Sequence, residues 1–405
     1  MTRFGFYYGW VIVALSFVTL TSAYGLLYSY SVFAPEMAAA LALDRATVAA
    51  PFSLCVATYA ILSLVSGRLT DSLGPRRLIF GGGILLAAGF LVLSQATAAF
   101  ELFLGMSVLC GIGLSVAYIP TSAAIVRWFV ADRGLALALG SMGIGASMVV
   151  GPMAAAALTA WLGWRDAAVV LGLAGGALVA LAALGFKRDP GDPALRRRGG
   201  EALAVEPSWT LAEARRTLAF WLICALYALT WGVMFFPYAH MVGIAGDSGF
   251  GAGTGVRLLA VAGVAGCAGR PLIGWLSDRT SRTTGLVTML LAQIVACAIF
   301  ASSPTLMALY LAAGLFGMGA SAGVTLYAAV VGDVFGRASI GAIAGFAFAF
   351  TCTAGGLGPL VGGHIRDRTG AYDAAFWLGA ALNGVALVIA ILLRRAAARL
   401  PRPGG

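Results

Sequence analysis

The sequence predicts an all-α membrane protein: twelve transmembrane helices in two six-helix bundles built as a parallel repeat. Three observations predict it. Of 405 residues, 60% are hydrophobic and only 10% charged, with a mean hydropathy of +0.94. A soluble domain carries about 45–50% apolar and about 25% charged residues. The apolar runs are long enough, at 20 residues and more, to cross about 30 Å of hydrocarbon. Short motifs also recur, in order, at one fixed offset along the chain.

The same runs exclude a barrel, because they lack the roughly 10-residue alternation of barrel strands. Spanning backbone has to satisfy its own hydrogen bonds, which leaves helices. Breaks in hydrophobicity place the first six spans at 8–34, 46–70, 77–97, 100–127, 134–160 and 166–187. The next six fall at 217–245, 252–277, 283–303, 304–332, 338–365 and 372–394. No small-residue cleavage site follows the first apolar run, so it reads as a span and not as a removable signal. Between spans six and seven lies the one long hydrophilic stretch, Lys187 to Arg216. It contains the turn-prone Asp189-Pro190-Gly191-Asp192-Pro193 and the run Arg196-Arg197-Arg198. Bundles at 1–187 and 217–405, joined by a linker at 188–216, follow from it. The six cysteines (Cys55, Cys110, Cys224, Cys267, Cys297, Cys352) lie singly in apolar stretches, so neither a disulfide framework nor a metal site is expected.

Basic residues set the orientation. With the termini and linker on one side, that side collects 20 of the 26 Lys and Arg residues, including Arg3, Arg68, Arg188, Arg337 and Arg402. The opposite side has five (Arg45, Arg165, Arg257, Arg366, Arg368), and Arg270 falls inside a span. This asymmetry places both termini in the cytoplasm of a cell whose inner membrane holds the protein. Topology then accounts for the net charge of +10, and no nucleic-acid partner is called for.

The two halves repeat each other. Gly67-Arg-Leu-Thr-Asp71 recurs as Gly274-Trp-Leu-Ser-Asp278, an offset of 207 (274 minus 67). Gly111-x-Gly113 with Phe129 recurs as Gly317-x-Gly319 with Phe335, at 206. Gly151-Pro152 recurs as Gly358-Pro359, at 207 again. Three collinear anchors argue for duplication of a six-helix unit, as in carriers whose halves rock around a midplane site.

The stretch Gly67-x-x-x-Asp71-x-x-Gly74-x-Arg76-Arg77, between spans two and three, resembles the loop signature of the major facilitator superfamily. The resemblance implies a network of Asp71, Arg76, Arg77 and Arg127 that latches the two halves in one state. The second copy, Asp278-Arg279, lacks the following Gly and the paired Arg, so a degenerate latch is expected there. Gly9-Trp10, with Tyr24, Ser29, Val32 and Phe33, resembles the first helix of monocarboxylate transporters. Trp128-Phe129-x-x-x-Arg133-Gly134-Leu135-Ala136, continuing to Gly140 and Gly143, is similar to their fifth-helix signature. The oxalate/formate antiporter branch shares Tyr30-Ser31-Val32-Phe33.

Arg270 carries most weight. It lies eight residues before Asp278, about 12 Å up the helix. An arginine at that depth costs several kcal/mol and faces a cavity or a partner. Gly263, Gly266, Cys267 and Gly274 on its own helix are expected to leave that face bare, and Pro271 disturbs the local ladder. No Asp or Glu lies in the interior of any span. A permanently charged guanidinium in a cavity suits a carboxylate, held by two parallel hydrogen bonds. Snorkelling to the aqueous boundary is the plain alternative. The resemblance agrees with the first reading, since both branches keep a substrate-binding arginine in this helix.

Oxalate carriers place a second cation, a lysine, in the eleventh helix. Here Phe346-Ala-Phe348-Ala-Phe350-Thr351-Cys352-Thr353 has none. One cation beside an aromatic wall of Phe346 and Phe350, with Cys352 adjacent, suits a small monoanion such as lactate or pyruvate. A dicarboxylate would leave one charge uncompensated in low dielectric. Leu27, Tyr28, Tyr118 and Tyr327 are further candidates to line the site, with helix packing the alternative for each tyrosine. His240 is either an interfacial histidine or a titrating group near the pocket; His364 reads as interfacial. Animal monocarboxylate transporters carry an Asp and a Lys where this chain has Gly266 and Tyr28. Proton symport would then rest on the substrate carboxylate, with His240 assisting, and exchange of organic anions is the rival mechanism. No HExxH, paired intramembrane carboxylates or Ser/His/Asp set marks an enzyme, and no GxxxxGK[ST] loop marks an ATPase. The expected protein is a monomeric carrier in a lipid bilayer, without a cofactor, moving a small monoanion with a proton.

Overall fold

The computed structural model describes residues 7–43, 45–130, 132–188, 209–250, 252–302 and 305–400. Arg3, the Asp189–Pro193 turn, the Arg196–Arg198 run and Arg402 lie outside the described residues. Among those described, eleven helical runs are long and apolar enough to cross a membrane. The longest, Arg133–Leu184, is two spans, because Gly163 interrupts it at φ 78°, ψ 162°. Only glycine adopts that conformation without strain. The helices are therefore α1 (Gly9–Leu41), α2 (Arg45–Leu73), α3 (Pro75–Ser94), α4 (Ala99–Trp128), α5 (133–162) and α6 (164–184). The second half holds α7 (Leu218–Asp247), α8 (Ala252–Arg279), α9 (Arg282–Ser302), α10 (Leu306–Phe335), α11 (Ile340–Thr369) and α12 (Asp373–Ala398). Twelve spans stand where hydropathy places them. Several run further, α1 most of all, because Glu36 to Leu41 are strong helix formers that continue the helix past the apolar stretch.

α4 is irregular. Phe103–Cys110 is wound as a wider π-helix, and the helix breaks at Val116 before Tyr118 restarts it. Pro120 sits in the first turn of the new segment, where a missing N–H is tolerated.

Two compact units emerge. One comprises Met1–Ala131, Leu139–Glu206 and Arg337–Ala349; the other Asp132–Ala138, Pro207–Gly336 and Phe350–Gly405. Each unit is thus most of one sequence half plus the first turns of a helix from the other.

Packing repeats along with the motifs. In the first unit the backbones of Gly25 and Gly151 meet, a Cβ on Gly151 falling 2.7 Å from the Gly25 Cα. In the second, Gly232 and Gly358 meet the same way, each 207 residues further on. A Cβ on Gly113 would lie 2.9 Å from the Gly82 carbonyl, and one on Gly319 would lie 2.6 Å from the Met289 carbonyl. Close backbone approach through small residues is how helices associate where lipid removes the hydrophobic drive between them. The lipid supplies the remaining apolar contact: Trp161, Val264 and Leu360 are 88%, 73% and 69% exposed.

Candidate functional site

Arg270 is 8% exposed on α8. The expectation of a bare face beside it needs correction. A Cβ on Gly266 would lie 3.1 Å from the Gly317 carbonyl, and one on Gly269 2.8 Å from the Met318 Cα. A Cβ on Gly274 would lie 2.8 Å from the Gly134 carbonyl. These glycines admit neighbouring backbone; of Gly263, Gly266 and Gly274, Gly263 alone borders open space. Tyr238 of α7 lies within the field of Arg270, and its hydroxyl shares a hydrogen bond with Ser321 of α10. The Tyr238 ring meets Phe316 edge-on at 5.8 Å. A buried guanidinium and a half-buried phenol in its field offer two kinds of donor to an anion. Sequence reasoning missed Tyr238; the signal available was a tyrosine two residues before His240 in the same span.

A second constellation lies where α2 ends. Asp71 accepts from Arg127 at 2.5 Å, from the Gly341 N–H at 3.1 Å and from the Ala342 N–H at 2.7 Å. One carboxylate therefore pairs an arginine that is 6% exposed and caps the free N–H groups opening α11. Arg127 also donates to the carbonyls of Arg337 and Ala338, both at 3.3 Å. The glycine of the motif makes this approach: a Cβ on Gly341 would fall 2.5 Å from the Gly67 carbonyl. Arg76 and Arg77, by contrast, are exposed at the start of α3, and no described bond joins them to Asp71. Arg188 instead donates to the Asp71 carbonyl.

The copy 207 residues later is intact, contrary to expectation. Asp278 accepts from the Gly134 N–H at 3.0 Å and the Leu135 N–H at 2.9 Å, capping α5 as Asp71 caps α11. Its arginine comes from four residues further on, at the start of α9: Arg282 donates to Asp278 and to Asp333, each at 2.5 Å. Arg133 pairs with Asp333 as well. The loop consensus is lost, yet the chemistry is supplied from a different position.

The Major Facilitator Superfamily profile matches residues 15–306 and 258–405. The chain belongs to the major facilitator superfamily. Monocarboxylate transporter 13 of Bos taurus is 32% identical over 379 residues, spanning 91% of this chain and 85% of its own. Its counterpart in Rattus norvegicus is 30% identical over 384 residues, with the same shares. Human monocarboxylate transporter 11 is 29% identical across 93% of this chain and 80% of its own. The Escherichia coli fucose:proton symporter superposes with a TM-score of 0.73 at 16% identity, covering 94% of this chain and 98% of that one. The human organic anion transporter TETRAN gives 0.70 at 13% identity, covering 94% and 99%. At such identities the solved structures speak for the fold, and the superfamily makes the chain a membrane transporter, not an enzyme.

Other candidates in this transporter have structural neighbours of their own. Tyr327 is 1% exposed and stands perpendicular to Tyr227 at 4.7 Å. Tyr118, 4% exposed, lies against Phe348 at 5.2 Å. On α1, Leu27 is buried and Tyr28 half-buried. Phe350 is 45% exposed and edge-on to Trp221 at 6.0 Å; Cys352 is half-buried.

His240 is held through both ring nitrogens, Nε2 to the Pro359 carbonyl at 3.0 Å and Nδ1 to the Tyr372 hydroxyl at 3.1 Å. A carbonyl only accepts, so Nε2 is the donor to Pro359, and in that tautomer Nδ1 accepts from the Tyr372 hydroxyl. This geometry braces α7 against α11 and the start of α12. His240→Gln is therefore expected to lower thermal stability by about 1–3 kcal/mol, which melting curves check.

Proposed function

We propose that this transporter moves a small monocarboxylate of the lactate or pyruvate kind across the inner membrane by alternating access, with a proton as coupling ion. The observation that carries the reading is Arg270: a buried guanidinium inside a transporter span, with the Tyr238 phenol within its field. Its planar fork matches a carboxylate in a two-point contact, and low dielectric strengthens that bond. The relatives at about 30% identity, monocarboxylate transporters by name, point the same way. Arg127 and Arg133, also buried, are paired with Asp71 and Asp333 near span ends, and one further cation inside a span favours a monoanion over a dianion.

Both termini are placed in the cytoplasm, which puts the Asp71 and Asp278 constellations on that side. They then serve as a gate: each carboxylate holds a helix start that has to leave when the substrate is released inward. The proton travels with the substrate carboxyl, because Gly266 and Tyr28 stand where related carriers use ionisable groups and His240 is engaged in bracing. The same two residues favour a second reading, exchange of organic anions without protons.

Proteoliposomes containing the purified protein separate the two. Radiolabelled L-lactate should accumulate under an acidic-outside gradient. Flux that appears only when the lumen is preloaded with organic acids would assign exchange instead. No flux of any monocarboxylate in either arrangement would defeat the substrate reading.

A further inference from the structure

Where α7 begins and α12 ends, a cavity of about 780 Å³ opens, lined from both helices. Arg216 enters it just before α7, and Arg395 and Arg399 enter from the last turns of α12. Leu392, Arg395, Ala396 and Arg399 are spaced i, i+3, i+4 and i+7, so the two α12 arginines share one face. Leu218, Leu222 and Leu392 form the apolar wall; Leu218 is 68% exposed and Leu392 44%.

We propose that this groove binds the headgroup and upper acyl chains of an anionic phospholipid in the leaflet it faces. Charge complementarity is the first argument. All three arginines are exposed, and among the described residues none of them forms a salt bridge. The one carboxylate in the lining, Glu213, lies within the field of Arg216 without a salt bridge and holds its hydrogen bonds in a helix cap: its Oε2 accepts from the Thr210 N–H at 2.7 Å and the Thr210 hydroxyl at 2.8 Å. The apolar wall is the second argument, because a free phosphate has no use for it and an acyl chain does. Basic residues at the cytoplasmic boundary follow from topology, and the α12 pair also complements its helix C-terminus. Neither rule brings Arg216, from another segment, into the same cavity. A basic pocket between spans beside exposed leucines is the pattern of headgroup recognition. The inference is independent of what the carrier moves.

Native mass spectrometry of the full-length protein with phosphatidylglycerol or phosphatidylcholine tests it. Phosphatidylglycerol adducts should dominate. The combined Arg216→Gln, Arg395→Gln, Arg399→Gln variant should weaken them on the order of 100-fold, at about 1 kcal/mol for each arginine. The corresponding triple Lys variant should retain them, which separates loss of charge from loss of fold. Equal adducts with both lipids, adducts undiminished in the Gln variant, or displacement of the lipid by millimolar inorganic phosphate would each overturn the proposal.

Discussion

Arg270→Ala is expected to reduce lactate uptake by at least 100-fold while the protein still inserts and purifies as wild type. Removing one partner of a buried, hydrogen-bonded charge pair costs about 3–5 kcal/mol, which is roughly two to four orders of magnitude in affinity. The substitution shortens a side chain beside open space at Gly263 and leaves the backbone contacts of Gly266, Gly269 and Gly274 in place. Arg270→Lys keeps the charge but replaces a planar fork with a point donor, so roughly 10-fold or more should still be lost. Tyr238→Phe should show a smaller loss, of the order of one hydrogen bond, about 0.5–1.5 kcal/mol. Uptake assays with thermal melts on the same samples decide the matter. Wild-type transport by the Ala variant would remove Arg270 from the substrate site.

The second large effect is expected at Asp71. Asp71→Asn leaves Arg127 buried without its carboxylate and weakens the cap on α11, again about 3–5 kcal/mol of local interaction. Ser63 reports on this place: it is 1% exposed and its hydroxyl bonds the Gly345 carbonyl of α11 at 3.2 Å. A cysteine introduced there, in a background cleared of the native six, should react with a water-soluble maleimide on the order of 100-fold faster in the Asp71→Asn variant. Turnover should fall with it. Unchanged labelling together with full transport would show that the contact does not gate. Asp278→Asn should behave in parallel, since Asp278 holds α5 as Asp71 holds α11.

Much of this architecture was legible in the sequence, for identifiable reasons. Spans are legible because a bilayer imposes one length and one polarity on every helix. The duplication is legible because Gly67, Gly113 and Gly151 are needed where backbones touch, and their copies meet the same need. Arg270 stood out because a charge in an apolar run has few physical justifications. Reasoning failed where function depends on partners brought from afar. The Asp278 constellation read as degenerate because its arginine moved to Arg282, outside the motif but still in reach. The resemblance put Arg76, Arg77 and Arg127 in one network with Asp71; among the described bonds Arg127 reaches it, and the α11 N–H groups, which no motif marks, complete the site. Tyr238 carried no motif at all.

The crosswise capping has a consequence for biosynthesis. The N–H groups of Gly134 and Leu135 are taken by a carboxylate 144 and 143 residues further along the chain. At about 5–20 residues per second of translation, α5 waits roughly 7–30 s before Asp278 has even been made. During that interval its opening turn depends on water or on whatever escorts the nascent chain. The reciprocal cap, Asp71 on α11, is available the moment α11 emerges. The first half is therefore the vulnerable one, completed only when the second arrives.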